Sequence, residues 1–218
     1  MAAALSLQLR AAQKADLPRL AHIFSANFTP IMAPILPSGP TKADEALRHA
    51  QLARRLAERD ADPRNAFLDV ATRADDGEVL ACTQWRIVDA GGYDAPEPHY
   101  AEPLPWPADA KPELHDAFFH SLEMNAKKYM DDRKHVHLDI LCVDTETARS
   151  GAGTFLFKHV LAQARAQKLP IYLDAAPTGS ALPFWTRHGF RQLGVIQTDG
   201  MDDVIAMVRE DDSAQADA

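Results

Sequence analysis

The chain has 218 residues, 46% of them hydrophobic, which is enough for one substantial hydrophobic core and short for two domains. Lys and Arg total 23 and Asp and Glu total 31, so the formal net charge is −8, and this balance disfavours general nucleic-acid binding, because phosphate contacts need clustered cations. No apolar run approaches the ~18 residues of a membrane span, and the N-terminal residues lack a secretory-signal pattern, so we expect a cytoplasmic protein that binds neither nucleic acid nor membrane.

The first half of the chain predicts two helices and three strands. Pro18, shortly after Asp16, is typical of a helix start, whereas four prolines between 29 and 40 indicate a loop or a short helix with turns. Gly77 supplies the flexible position of a turn between two strand-like runs. In chain order, we expect a strand at 5–9, a helix at 17–28, a loop or a short helix with turns at 29–40, a helix at 42–60, and hairpin strands at 66–72 and 78–89.

The second half alternates strands with helices after a long loop at 90–112, which is rich in Gly, Pro and aromatic residues. Strands interspersed with helices predict a mixed sheet with helices on its faces. In chain order, we expect a helix at 112–130, a strand at 135–143, a helix at 155–167, a strand at 171–175, a helix at 182–187, and strands at 191–197 and 202–210. Only the strand–helix–strand unit in the middle is expected to be parallel. The expected domain covers residues 1–210, and a polar, disordered tail at 211–218 follows it.

Neither the cysteines nor the histidines form a recognisable metal pattern. Cys82 and Cys142 lack zinc-site spacing and lie in strand-like apolar runs, so we expect buried free thiols. His135 and His137 are one residue apart, but the sequence identifies no third ligand for them. We therefore expect no metal cofactor.

The segment 143–154 joins a strand directly to a helix and contains Gly151 and Gly153. Glycine allows backbone amides to approach a ligand closely, and a helix N-terminus offers unpaired N–H groups and the positive end of the helix dipole. This arrangement predicts a phosphate or diphosphate site, with Arg149 as a nearby cation. The segment is not a P-loop, because no Gly-Lys-Ser/Thr ends it. It also lacks the third glycine of a dinucleotide-binding fingerprint.

The segment resembles the motif Gln/Arg-x-x-Gly-x-Gly/Ala of the GNAT acyltransferase superfamily, which follows a strand and binds the coenzyme A diphosphate. Residues 8–24 resemble the opening strand and helix of that family, and residues 169–194 resemble its later strand and helix with a Gly-Phe pair, here Gly189 and Phe190. The resemblance implies a single GNAT-like α/β (α+β) domain. Its mixed, mostly antiparallel sheet would have about seven strands, helices on both faces and a splayed strand pair at the middle.

The resemblance also implies that acetyl-CoA is the co-substrate. Its pantetheine arm would lie in the splayed gap, along the strand that ends at Val143, and a backbone N–H near Val143 would polarise the thioester carbonyl. The cofactor-binding residues implied in this way are Leu141, Val143, Arg149, Ser150, Gly151, Ala152, Gly153 and Thr154.

The chain departs from the family pattern at two positions. Ala148 stands where the family usually has Gln or Arg, which puts the strength of coenzyme A binding in question. Trp185 stands where many members have a tyrosine that protonates the departing thiolate, and an indole N–H is too weak an acid for that role.

Three residues are candidates for proton transfer or acceptor binding. Side chains alternate across a strand, so His135, His137 and Asp139 share one face of the strand at 135–143. Counting back from Gly151 places His137 where better-known family members have a glutamate base, so it is either a general base or a locally bonded strand histidine. Asp139 could orient His137 or bind a cationic acceptor. Asp174 could bind the acceptor, act as the base or make a structural hydrogen bond.

The leading hypothesis is a direct-transfer N-acetyltransferase that acts on a small-molecule amine. An acidic chain tolerates a cationic acceptor, and the Pro-rich loops at 30–40 and 96–107 resemble the walls of a closed pocket. One alternative is acetylation of a protein or peptide N-terminus or lysine. Another is an acyl-CoA-binding protein with weak catalysis, which Ala148 and Trp185 make credible. The sequence specifies neither the acceptor, nor the acyl chain, nor the oligomeric state.

Overall fold

The computed structural model describes residues 6–39, 41–94, 102–177 and 179–211. Four of the predicted segments fall partly beyond these ranges. Outside the described residues lie Leu5 of the first predicted strand, Pro40 of the segment at 29–40, residues 95–101 of the long loop and residues 212–218 of the polar tail.

Within these ranges, five helices and seven strands follow one another in the predicted order. The helices are α1 (Leu17–Met32), α2 (Lys42–Ala61), α3 (Pro112–Met130), α4 (Ala152–Ala166) and α5 (Ala181–Arg187). The strands are β1 (Leu7–Ala11), β2 (Ala66–Arg73), β3 (Val79–Val88), β4 (His135–Val143), β5 (Ile171–Ala175), β6 (Arg191–Ile196) and β7 (Val204–Arg209). Short 3₁₀ helices lie at Lys14–Asp16, Gly92–Asp94 and Thr145–Thr147.

The helix predicted to end at Phe28 is longer in the structure, because α1 continues through Pro30 to Met32. Proline normally interrupts a helix by removing one hydrogen bond and crowding the preceding turn. Here the apolar side chains that follow are buried, with Met32 and Ile35 at 4% and 0% exposure. Tertiary burial therefore outweighs the local cost of the proline.

The strand order in the sheet is β1-β2-β3-β4-β5-β7-β6. β1 pairs with β2, β5 with β7, and β6 with β7, all antiparallel. β4 and β5 are parallel, and their register consists of only two pairs, Val136↔Ile171 and His137↔Tyr172. The predicted α/β fold with a mixed, mostly antiparallel seven-stranded sheet is thus confirmed, as is the parallel strand–helix–strand unit.

The chain forms two compact units. The first comprises the described residues within Met1–Trp85, His99–Ala110 and Ile140–Val160. The second comprises those within Arg86–Pro98, Lys111–Asp139 and Leu161–Ala218.

Each unit has a buried apolar core. In the first unit, residues of α1 and α2 pack on β2 and β3, and the first turns of α4 pack beside Leu80 and Ala81. In the second unit, residues of α3 pack with β5, β6 and β7 around Tyr172.

The two cysteines lie side by side in the core of the first unit. Cys82 and Cys142 are free and buried, as predicted, and their Sγ atoms are 3.2 Å apart. Burial raises the pKa of the Cys142 thiol well above its ordinary value. Cys142 is therefore an uncharged thiol at neutral pH.

No helix in the described ranges combines the length and the apolar character that crossing a bilayer requires.

Candidate active site

The loop between β4 and α4 has the backbone geometry that anion binding needs. Gly151 has a φ of +89°, in the left-handed region that glycine enters without strain, and α4 starts at the next residue. Within the described residues, the N–H groups of Gly151, Gly153 and Thr154 make no hydrogen bond. The Ser150 hydroxyl accepts from the Ala152 N–H at 3.4 Å. The loop therefore presents unpaired donors at a helix N-terminus.

Gly153 brings the first turn of α4 close to the end of β4. A Cβ at this position would lie 3.1 Å from Val143 Cγ2 and 3.4 Å from Leu141 Cδ2, whereas a Cβ on Gly151 would meet nothing within 4 Å. Gly151 thus provides a backbone turn, and Gly153 provides close packing of helix on strand.

The loop is anchored to α1 at its beginning. Asp144 has a buried side chain, and its Oδ2 accepts from Arg19 Nη2 at 2.8 Å. The Asn27 amide donates to the Val143 carbonyl at 2.9 Å. Both contacts fix the point at which β4 passes into the loop.

The remaining residues of the loop and the first turn of α4 differ in their exposure. Ala148 and Arg149 are exposed, and Arg149 has a φ of +68°. Ser150 and Thr154 are half-buried, whereas Ala152 is buried. The loop therefore offers one exposed cation beside the unpaired N–H groups.

A second group of polar side chains, which we call the polar cluster, lies in the second unit, where the β4–β5 register ends. It brings together the three predicted residues His137, Asp139 and Asp174. His137 and Tyr172 are register partners, and their rings meet edge-on with centroids 5.2 Å apart. The full cluster is Arg86, Tyr93, Glu123, His135, His137, Asp139, Tyr172 and Asp174.

His137 is buried, with 5% of its surface exposed. Its Nδ1 lies 3.0 Å from the Tyr93 hydroxyl and 3.4 Å from Arg86 Nη2. Its Nε2 lies 3.8 Å from Asp139 Oδ1, which is too long for a direct hydrogen bond.

Arg86 pairs with two carboxylates of the cluster. Its Nε lies 3.3 Å from Asp139 Oδ1, and its Nη2 lies 3.4 Å from Glu123 Oε1. The other oxygen of Asp139, Oδ2, is buried and makes no hydrogen bond to any described residue. Among the described residues, Asp139 Oδ2 is therefore an acceptor without a donor.

Asp174 is the carboxylate most strongly perturbed by its surroundings. Burial raises its pKa to about 7, and the negative charge of Asp139 adds to this, although the hydrogen bond from Tyr172 and the charge of Arg86 oppose it. The Tyr172 hydroxyl donates to Asp174 Oδ1 at 2.7 Å. Because a pKa near 7 suits a general base at neutral pH, the geometry can support proton abstraction.

Trp185 is a core residue. Its ring is 7% exposed and packs edge-on against Phe184 and Phe190, with centroid distances of 4.8 Å and 5.3 Å. Across the described ranges, no three His, Cys, Asp or Glu side chains are arranged to hold a metal ion.

Residues 120–209 match the family profile described as acetyltransferase (GNAT) domain. The match spans α3 to β7 and so contains β4, the loop and β5. The strand order, with its short parallel β4–β5 pair, belongs to the same fold. Over residues 120–209 the chain is similar to GNAT acetyltransferase domains. This similarity indicates an acyltransferase.

Solved structures share this GNAT fold over almost their whole length. One is a Corynebacterium glutamicum protein described as histone acetyltransferase HPA2 and related acetyltransferase, with 20% identity, a TM-score of 0.63 and coverage of 95% of this chain and 97% of that chain. A second is a polyamine N-acetyltransferase of Drosophila melanogaster that forms N-acetylagmatine, with 15% identity, a TM-score of 0.64 and coverage of 94% and 100%. A third is PaiA N-acetyltransferase of Thermoplasma acidophilum in complex with coenzyme A, with 13% identity, a TM-score of 0.58 and coverage of 94% and 99%. No curated protein matches the sequence significantly.

Sequence reasoning missed four members of the polar cluster: Arg86, Tyr93, Glu123 and Tyr172. The sequence did contain a signal for Arg86, since it is the only charged residue in β3. Tyr93 gave no such signal, since it follows β3 in a loop and reaches His137 across 44 positions of sequence.

Proposed function

We propose that the chain is an acetyl-CoA-dependent N-acetyltransferase that transfers the acetyl group directly to a small amine. The polar cluster carries this proposal, because it contains a carboxylate with a pKa of about 7 beside a second carboxylate that has an unused oxygen. Such a pair suits an ammonium group that must first bind and then lose a proton. The acidic chain and its free thiols suit a reducing cytoplasm.

The loop suits the diphosphate of coenzyme A. Unpaired N–H groups of Gly151, Gly153 and Thr154 at the start of α4 would donate to phosphate oxygens. The exposed side chain of Arg149 would add a positive charge. We assign the pantetheine arm to the backbone of β4 at Leu141 and Val143, next to this loop in sequence.

Side chains of the polar cluster bind the amine acceptor and accept its proton. Asp139 binds the ammonium group through its unused oxygen, and Asp174 accepts one proton from it. The neutral amine then attacks the thioester carbonyl carbon, a C–N bond forms, and the C–S bond breaks. The thiolate leaves with the C–S electron pair and is protonated from solvent, because Trp185 is an apolar core residue. The amine nitrogen loses its second proton, so that an amide, a thiol and one net proton result.

A small amine is the preferred acceptor class. The Drosophila protein of the same fold is described as acting on polyamines, and the net charge of the polar cluster is negative at neutral pH, since Arg86 faces Asp139, Glu123 and Asp174. The Corynebacterium protein is described as a histone acetyltransferase. A basic peptide is therefore the competing acceptor in the test.

The test is thiol release from acetyl-CoA with a matched panel of acceptors. We expect turnover with primary diamines and arylalkylamines that exceeds turnover with Lys-containing peptides and peptide N-termini. Faster turnover with the peptides would replace the small-amine proposal by peptide acetylation. Calorimetric acetyl-CoA binding without turnover on any acceptor would identify a binding protein.

Gly151→Asp is expected to weaken acetyl-CoA binding more than tenfold, or about 1.4 kcal/mol. The position has room for a side chain, so the loss would come from strain at φ +89° and from a negative charge facing phosphate. Gly77→Asp is the control, because Gly77 has a similar φ of +76° and equally open surroundings in a hairpin turn. Calorimetry should show normal affinity for the control, and normal affinity in a folded Gly151→Asp variant would contradict the assigned diphosphate site.

Ala148→Gln is expected to bind acetyl-CoA at least as tightly as the wild-type chain. Ala148 is exposed, so a longer side chain fits without repacking, and an amide beside the phosphates can donate hydrogen bonds. The same titration measures it. A tenfold weaker affinity in a folded variant would mean that the phosphates lie elsewhere along the loop.

A further inference from the structure

The side chain of Asn27 joins α1 to the end of β4. Its Nδ2 lies 2.8 Å from the Ile23 carbonyl, one turn back in α1, and 2.9 Å from the Val143 carbonyl. Carbonyl oxygens only accept, so the nitrogen of the amide faces both of them and donates one N–H to each. The bond to Ile23 holds the side chain against its own helix, so the other N–H is already directed at β4 in the free protein.

The peptide group between Val143 and Asp144 is held from two sides. The Asp144 N–H donates to the Leu80 carbonyl of β3 at 2.8 Å, while the Val143 carbonyl accepts from Asn27. A trans peptide is planar, and its C=O and N–H point in opposite directions. The Val143 carbonyl therefore points away from β3, and Asn27 meets the opposite edge of β4.

That edge of β4 also carries the N–H of Val143. Within a strand, the N–H and C=O of one residue point to the same side, and successive residues alternate. Leu141 and Val143 consequently present their N–H groups on the edge that Asn27 meets. These are the two residues to which we assign the pantetheine arm.

A second residue of α1 acts on a different group of the same peptide. Arg19 lies eight residues before Asn27, on the same broad face of the helix, and its Nη2 lies 2.8 Å from Asp144 Oδ2. Arg19 thus anchors the start of the diphosphate loop through a side chain, whereas Asn27 anchors the end of β4 through the backbone. A change at Asn27 leaves the anchor of the loop in place.

We propose that Asn27 is a positioning residue for acetyl-CoA: it holds the Val143 carbonyl and thereby fixes the edge of β4 that binds the pantetheine arm. The binding of pantetheine at this edge rests on the proposed function, whereas the hold on the peptide is a property of the free protein. Without Asn27, the pantetheine arm would have to order the end of the strand as it binds, which lowers affinity. The diphosphate, bound by the loop, would be affected far less.

Calorimetry with two ligands separates these contributions. Acetyl-CoA carries the pantetheine arm, and 3′-phospho-ADP has the same nucleotide and diphosphate without it. Asn27→Leu keeps the approximate size of the side chain and removes both donors. We expect it to weaken acetyl-CoA binding at least about fivefold, the scale of one hydrogen bond, and to change the affinity for 3′-phospho-ADP less than about twofold.

Asn125→Leu is the matched control. Asn125 is also partly buried in a helix, and its Nδ2 donates to the carbonyl four residues back, that of Ser121, at 2.9 Å. The control therefore deletes the same bond within a helix, and it should bind both ligands normally. Equal losses for both ligands in Asn27→Leu would mean that the whole loop is disturbed, and unchanged affinity for both would mean that Asn27 serves packing alone. Either result would overturn the inference.

Asn27→Ala replaces Asn27→Leu if the leucine variant does not fold, because alanine favours the helix and removes the same donors. The same selective loss is expected.

Amide hydrogen exchange of the full chain without ligand tests the hold on the peptide directly. The Asp144 N–H should exchange at least about fivefold faster in the Asn27 variant than in the wild type, because one side of its peptide group is released. An unchanged exchange rate would overturn the inference. If the wild type binds no acetyl-CoA, the proposed function fails and the pantetheine assignment fails with it, while the exchange rate still decides whether Asn27 holds the peptide.

Discussion

Asp174→Asn is expected to reduce amine acetylation about 10²-fold or more, the scale of general base catalysis. The asparagine keeps the shape of the side chain and can still pair with Tyr172, but it cannot accept a proton. The variant should bind acetyl-CoA normally, because Asp174 belongs to the polar cluster and not to the loop. Turnover at saturating acetyl-CoA, beside calorimetry, measures the two effects separately.

The pH profile distinguishes Asp174 from other bases. A base must be deprotonated to act, and the pKa of Asp174 is raised to about 7, so wild-type turnover should rise with pH through that value and then level off. Tyr172→Phe should move this limb to higher pH, because the lost hydrogen bond had favoured the carboxylate. If Asp174→Asn retains the wild-type rate and limb, His137 is the base, and His137→Gln should then abolish the limb.

As pH rises, the contribution of Asp174 to folding stability should fall while turnover rises. The folded-state pKa of Asp174 exceeds its ordinary value, so this group contributes stability that is fully present below a pH of about 4 and is lost as pH rises through about 7. An asparagine does not titrate, so Asp174→Asn removes this loss of stability with rising pH. The melting temperature of the variant relative to the wild type should therefore be higher at pH 8 than at pH 4.

Arg19→Met is expected to destabilise the first unit by about 3 kcal/mol, the lower end of the range for breaking a buried ion pair. The Asp144 side chain is 1% exposed, whereas that of Arg19 is 28% exposed, so the variant leaves a buried carboxylate without its cation. Asp144 Oδ1 already makes no hydrogen bond to a described residue, which increases the penalty. Urea unfolding followed by circular dichroism measures the loss.

Two further variants control this experiment. Arg191→Met breaks the pair with Glu210, in which the Arg191 side chain is 59% exposed, and it should cost far less. Arg19→Met combined with Asp144→Asn should recover part of the stability, because no buried charge remains. If the double variant is no more stable than Arg19→Met, the loss comes from the packing of the arginine stem, and the ion-pair explanation is wrong.

Local patterns in the sequence predicted most of the fold. Alternation along residues 135–143 indicated that His137 and Asp139 share a face, and both side chains contact Arg86 in the structure. The end of α1 was missed because Pro30 is a strong local signal, whereas the burial of Met32 depends on the assembled core.

The polar cluster was only partly predictable, since its contacts join segments that are far apart in the chain. Tyr172 and Asp174 lie in the same strand, two residues apart. The sequence does not reveal that Tyr172 is buried, nor that its hydroxyl donates a hydrogen bond to Asp174 Oδ1. The two glycines of the loop looked equivalent in sequence. Only the packing of α4 on β4 separates Gly153, which a Cβ would crowd against Val143, from Gly151, which has open space around it.

The reactivity of the two cysteines can report local unfolding of the first unit. Cys82 and Cys142 are the only cysteines in the chain, and both are buried thiols in contact with each other. A thiol-specific reagent reacts with the thiolate of an accessible cysteine, so neither residue should be labelled while the unit stays closed. The rate at which a chromogenic disulfide reagent modifies the native chain therefore measures how often the strands around the cysteines separate, without any added label.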